Sequence, residues 1–308
     1  MSDHYEFKMG MYLGELQQPF EQSLATARDL GAHYVWCGTH SDNRSLYELA
    51  DAEIDQAAEQ VAAHGLEFFL LDGAGLFKTV HLAELEPGKM LEHAQFKEHF
   101  TKLERSMEVS ARLGIGAVGC SSFAWPAEYT GGKPTWPMRW ATRGGIISDS
   151  DMAKLVEAFS MFANIAEKYD VDIAFLMMQW NYGNTSRNFR RIVEAVGSRR
   201  FKALWCPADN YNCGEVDNAT AGFENLRPYL HGVHAKDLRT INGSTLEFEY
   251  TPIGEGDVDY PTILRNLRDN RCDVVLSIAT HFLPASGSRL EAMQTNYANI
   301  RRLIGELA

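Results

Sequence analysis

The sequence predicts an α/β fold, a (β/α)8 TIM barrel in a single domain over residues 1–308, and three observations predict it. Short apolar runs alternate with long amphipathic segments. Eight such strand-then-helix units follow one another, which implies a parallel sheet, and eight parallel strands close into a barrel. No glycine-rich phosphate turn follows the first strand, so a doubly wound open sheet lacks support.

The expected strands are FKMGMYL (7–13), HYVWCG (33–38), EFFLLD (67–72), GAVGCS (116–121), VDIAFLMM (171–178), FKALWC (201–206), HGVHAK (231–236) and DVVLSIA (273–279). Apolar residues at three-and-four spacing mark the helices between them. Leu155, Phe159, Phe162, Ile165 and Tyr169 make one stripe, and Leu290, Met293, Tyr297, Ile300 and Ile304 another. Gly254-Glu255-Gly256 reads as a turn into the next helix, with Asp259 as its N-cap. His64, His93 and His99 are expected at the surface.

One long segment between the fourth strand and its helix, about 123–148, is rich in Trp, Pro and Gly and cannot be a continuous helix. In a barrel it would lie on the active-site face, as a lid. Trp125, Trp136 and Trp140 fall in it, while Trp36, Trp180 and Trp205 sit at or just past strand ends. A tryptophan taken alone is more often a gap filler. Six at one barrel mouth suggest walls around a sugar ring or another flat, partly apolar ligand.

Composition sets outer bounds. With 45% hydrophobic and 23% charged residues the chain has ample core for a globular protein. A net charge of −12 argues against nucleic acid as a partner, because phosphate binding draws on clustered Lys and Arg. No window approaches the ~18 apolar residues of a membrane span, and the N-terminus lacks the pattern of a secretory signal. Five scattered cysteines (37, 120, 206, 213 and 272) without a CxxC pair fit a reducing cytoplasm better than a disulfide framework.

Strand-end motifs narrow the reading. HGVHAKD, followed by PIGEGDVDYPTILRNLR and DVVLSIATHF, with LWCPADNYNCG before them, resembles the xylose isomerase-like barrel superfamily of sugar isomerases, epimerases and inosose dehydratases. The resemblance covers nearly the whole chain. It implies one divalent metal held by two Glu, one Asp and one His. Carried over residue by residue, only the His is present, as His234. The strand-eight Glu falls on Ala279, the strand-six Asp on Cys206, and the substrate-contacting residue three further on falls on Asp209. The strand-five Glu falls within Leu176 to Met178, and no Asp or Glu occurs between Asp172 and Glu194. A hard cation wants several oxygens, so the family's metal is not expected here. A rebuilt Zn or Mn site at Cys206, Asp209 and His234 is the alternative.

His231 and His234 lie three apart, and strand alternation turns such positions to opposite faces. His234 is expected in the lumen and His231 in a structural place at the far end or under a helix. Lys236 shares the face of His234, and Asp209, Cys206 and His281 come from neighbouring strand ends. A His, a Lys and an Asp suffice for general acid–base chemistry: His234 as acid/base, Asp209 as its partner or second base, Lys236 as electrophile toward a developing enolate. Structural ion pairs of Lys236 and Asp237 at the rim are the plainer alternative. Arg239, Arg139 and Arg143 could anchor a carboxylate or phosphate.

The expected function is isomerisation, epimerisation or elimination on a small carbohydrate, cyclitol or keto sugar by proton transfer. A metal-less pseudoenzyme serving as a ligand-binding or partner subunit is the alternative, and a zinc hydrolase at Cys206, Asp209 and His234 a weaker one. The resemblance leaves a homodimer open, but no interface signature stands in the sequence.

Overall fold

All eight expected strands form in a computed structural model of the chain, which describes residues 5–38, 40, 44–73, 75–125, 145–243 and 247–307. In chain order they are β1 (Lys8–Tyr12), β2 (Tyr34–Trp36), β3 (Glu67–Phe68) with β4 (Leu71–Gly73), β5 (Ala117–Cys120), β6 (Asp172–Leu176), β7 (Phe201–Trp205), β8 (Leu230–Ala235) and, after a hairpin, β11 (Val275–Ile278). Every pairing in this nine-stranded sheet is parallel, in the order β3-β2-β1-β11-β8-β7-β6-β5-β4. Because β3 and β4 are consecutive pieces of one run, the sheet closes on itself as a barrel.

That run was expected as one strand over 67–72. It breaks because Phe69 and Leu70 both join the apolar cluster of the lumen. Two consecutive inward side chains violate the period of two, and the ladder is interrupted.

Alternation elsewhere is regular. Ala174 and Leu176 of β6, Leu204 of β7 and Val275 of β11 fill the lumen with Trp36. Ile173, Phe175, Phe201, Ala203, Trp205, Val233 and Ile278 face outward and pack under the helices. Among those helices are α1 (Phe20–Asp29), α2 (Asp51–Ala63), α3 (Ala94–Leu113), α4 (Asp149–Tyr169), α5 (Ser186–Val196), the short α6 (Pro207–Asn212) and α7 (Phe223–Leu226), α8 (Tyr260–Asp269) and α9 (Arg289–Gly305). The two expected stripes lie on α4 and α9, and Phe159, Phe162, Tyr297 and Ile300 are buried.

Helix starts are set by side-chain caps that accept otherwise orphaned N–H groups. Ser148 accepts from Asp151, Thr185 from Asn188, Asp259 from Thr262 and Ser288 from Glu291. His93 and His99 are not simple surface residues: His93 caps α3 by accepting from Phe96 N–H, and His99 Nδ1 accepts from Phe77 N–H at 3.0 Å.

The sequence reading missed one element. An antiparallel hairpin, β9 (Asp237–Asn242) and β10 (Glu247–Thr251), follows β8 directly. It carries Arg239 opposite Glu249, and Arg239 Nε donates to the Glu249 carboxylate at 2.6 Å. Arg239 therefore sits in an exposed cross-strand pair and not as an anion anchor in the lumen.

Candidate active site

The C-terminal ends of β7, β8, β11 and β1 are neighbours in the barrel, and each delivers a charged or titratable side chain to one buried cluster. Asp209 comes from α6 after β7, Lys236 from the residue after β8, His281 from the loop after β11, and Glu15 from the 3-10 turn (Leu13–Leu16) after β1. Lys236 Nζ forms an ion pair with Asp209 Oδ2 at 2.9 Å and donates to His281 Nε2 at 3.1 Å. His281 Nδ1 lies 3.3 Å from Glu15 Oε1, and Arg289 stands 3.9 Å from the other Glu15 oxygen.

Lys236 and Asp209 are 1% and 0% exposed, so neither charge could stand alone here. Burial opposes the Lys236 charge, but Asp209 outweighs it and holds the ammonium above its ordinary pKa. Burial lifts Glu15 to about 7, against the pull of Lys236 and Arg289. Burial, reinforced by Lys236, drives His281 well below the usual imidazole range.

The Lys236 backbone is fixed as tightly as its tip. The Tyr260 hydroxyl accepts from Lys236 N–H at 3.0 Å and donates to Lys236 C=O at 2.7 Å. Tyr250, on the hairpin, sets its ring edge-on to His281 at 4.7 Å. The missed hairpin thus covers one side of the cluster.

His234 lies two residues deeper on the same face. Its ring meets Trp36 edge-on at 5.3 Å and Tyr12 at 6.0 Å, and it is 3% exposed. Neither ring nitrogen has a hydrogen-bond partner among the described residues. Burial first, then the charge of Lys236, keeps its pKa well below the ordinary value, so the imidazole is neutral near pH 7. Asp209 was expected as partner of His234. It is bound to Lys236 instead, because an ammonium two residues nearer the rim offers a stronger partner than a neutral ring.

His231 takes the structural place expected of it. Its ring stacks on Phe69 at 5.9 Å and its Nε2 meets Phe69 C=O at 3.3 Å, near the starts of β6, β7 and β11. A register shift where β8 meets β7 accompanies this placement.

The tryptophans do not all gather at the mouth. Trp36 and Trp180 belong to the lumen cluster, and Trp36 Nε1 donates to Ser277 Oγ at 2.6 Å. Trp205 points outward, its Nε1 donating to Asn210 at 2.8 Å, because Leu204 and Cys206 take the inward positions on either side. Trp125 stacks on Tyr182 at 4.0 Å and packs against the outer layer. Trp136, Trp140, Arg139 and Arg143 lie outside the described residues, as does most of the expected lid.

Barrel topology and strand-end chemistry agree with a comparison of sequences, in which the profile described as xylose isomerase-like TIM barrel matches residues 24–299. The chain belongs to that family. No curated protein matches it in sequence. Among solved structures, the probable 3-DHS dehydratase AsbF from Bacillus anthracis superposes with a TM-score of 0.68 at 14% identity, over 96% of this chain and 99% of that one. The IOLI protein with a bound zinc atom gives 0.70 at 15% identity, over 98% and 99%. D-psicose 3-epimerase with D-tagatose from Clostridium cellulolyticum H10 gives 0.67 at 16%, again over 98% and 99%.

The divalent metal that the family resemblance implies does not fit these residues. Ala279, Cys206, Leu176 and Met178 stand at the ligand positions, all of them buried and none offering a carboxylate. Burial, then Asp209, pushes the Cys206 thiol well above its ordinary pKa, and its Sγ packs 4.0 Å from Met178 Sδ. Among the described residues no group of three or more His, Cys, Asp or Glu could hold a metal ion. Of the residues of the alternative zinc site, Cys206 packs against Met178 and Asp209 pairs with Lys236.

Sequence reasoning missed Glu15 and Asp72. Asp72 lies one residue before the end of β4, near Tyr12; a Cβ at Gly38 would come within 2.9 Å of Asp72 Oδ2 and 3.1 Å of the Tyr12 hydroxyl. Each acid sits at or just past a strand end, the one signal that could have found it.

Proposed function

We propose that the protein is an enzyme of the sugar isomerase and epimerase type, acting by proton transfer on a small carbohydrate, cyclitol or keto sugar without a divalent metal. The observation that carries this reading is His234: a buried, neutral imidazole with both nitrogens free of hydrogen bonds, two residues from a fixed ammonium. A neutral ring can take a proton from the carbon beside a carbonyl. The C–H electron pair then moves into the carbonyl oxygen, and Lys236 stabilises the resulting enolate. Return of the proton to the other face gives the epimer; its return to the neighbouring carbon, as the hydroxyl proton there passes to the former carbonyl oxygen, gives the isomer. The structural relatives, D-psicose 3-epimerase with D-tagatose and the probable 3-DHS dehydratase, support the substrate class and the proton chemistry.

Without a Lewis acid, enolisation forgoes several kcal/mol of charge stabilisation, which favours a substrate with an acidified α-proton such as a keto sugar. The test is hydrogen exchange at carbon. Chelator-treated enzyme in deuterium oxide should place deuterium beside the carbonyl of at least one keto sugar or keto cyclitol, and His234→Gln should abolish it. Exchange undiminished in that variant, or exchange that depends on added metal, overturns the reading.

A further inference from the structure

We infer that Lys236 is a fixed internal cation standing where a metal-dependent barrel would hold its ion, and that it is built to receive an anionic oxygen of the ligand, carboxylate or enolate. The inference rests on the lumen being the ligand site. An ammonium has three donors and no acceptor. Asp209 Oδ2 faces the ammonium as an ion pair at 2.9 Å, His281 Nε2 accepts from it at 3.1 Å, and no other partner stands among the described residues. The third donor is left for a ligand.

Donation by Lys236 to Nε2 requires that the neutral His281 ring carry its proton on Nδ1, the nitrogen 3.3 Å from Glu15 Oε1. Glu15 is thus the acid that faces the proton of the tautomer accepting from Lys236, at ion-pair distance. The Tyr260 hydroxyl, bonded to both backbone groups of Lys236, fixes the point from which the side chain starts. Across the lumen the walls are Trp36, Leu176, Met178 and Ala279, which offer an anion nothing. Lys236 sets a full positive charge against that apolar wall, and a ligand anion is best met there.

Two measurements test this. Nitrogen-15 NMR of the ligand-free, chelator-treated protein at neutral pH should show His281 protonated on Nδ1 and bare on Nε2. A ring protonated on Nε2, or a mixture of tautomers, overturns the inference. Calorimetry then compares threonate, a four-carbon sugar acid, with threitol, its uncharged counterpart. Wild type should prefer threonate by at least about tenfold, the scale of one desolvated charge contact. Lys236→Met should lose that preference while keeping its threitol affinity. Removing one partner strands the other buried charge, so Lys236→Met combined with Asp209→Asn serves as the variant that folds if the single one does not. A preference that survives in either folded variant overturns the inference. If wild type binds neither compound while His281 shows the expected tautomer, the sugar-like substrate class fails and the internal cation stands.

Discussion

Lys236 and Asp237 are adjacent, oppositely charged and equally hidden, at 1% exposure each, yet they belong to two different regions of the molecule. Lys236 points into the mouth of the barrel and is held by side chains from two other strand ends. Asp237 points away from it into the turn before α8. There its carboxylate accepts backbone N–H groups of Leu238 at 2.8 Å, Gly254 at 2.9 Å, Gly256 at 3.1 Å and Val258 at 3.2 Å. Burial lifts its pKa to about 6 even against those four donors. A charge satisfied by backbone is scaffold. A charge satisfied by side chains, beside an unsatisfied imidazole, is a site. Among the described residues Asp237 forms no salt bridge, and a backbone cradle takes the place of that part of the plainer alternative.

The cradle tolerates only glycine at 256, where a Cβ would fall 2.3 Å from Asp237 Oδ1 and from Leu238 C=O. The largest expected effect therefore lies on the scaffold side. Asp237→Ala leaves several buried N–H groups without an acceptor and should cost about 3 kcal/mol or more in urea unfolding. If Asp237→Ala unfolds like wild type, the distinction between the two regions collapses.

A pH experiment sharpens the other side. Glu15 has its folded pKa raised to about 7 from 4.5, so the stability it contributes is full below 4.5 and is lost as pH rises through 7. That swing is on the order of 3 kcal/mol for one buried carboxyl. Glu15→Gln should flatten the wild-type loss of stability between about pH 5 and pH 8, read from paired thermal melts. An unchanged pH slope would show that Glu15 is not the buried acid of this cluster.

The smallest expected effects come from the far end of the barrel. His231→Phe keeps the stack on Phe69 and gives up one long contact to its carbonyl, so stability should change by no more than about 1 kcal/mol. Ligand binding should not change at all. His234→Phe should instead remove function while folding normally, since it deletes no hydrogen bond among the described residues. If the two variants behave alike in binding, the mouth and the far end are not functionally distinct.

How much was legible can be read off particular residues. Alternation placed Trp205 on the outer face between inward Leu204 and Cys206, so the idea of six tryptophans at one mouth conflicted with the same rule that separated His231 from His234. Asp259 was readable as a cap because capping is local. The hairpin was not seen, because four of the six residues of β9 are exposed and its partner is only itself.

By itself the sequence determined the order of strands and helices, the face on which His234 and Lys236 lie, and the replacement of carboxylates by Ala279 and Cys206. These follow from periods of two and 3.6 residues and from residue identity, which are local. Only the tertiary structure decided that Asp209 serves Lys236 rather than His234, that Glu15 reaches His281, and that these groups are dry. Barrel closure brings the first strand beside the last. Burial then sets which protons stay, and neither is written in the spacing of residues along the chain.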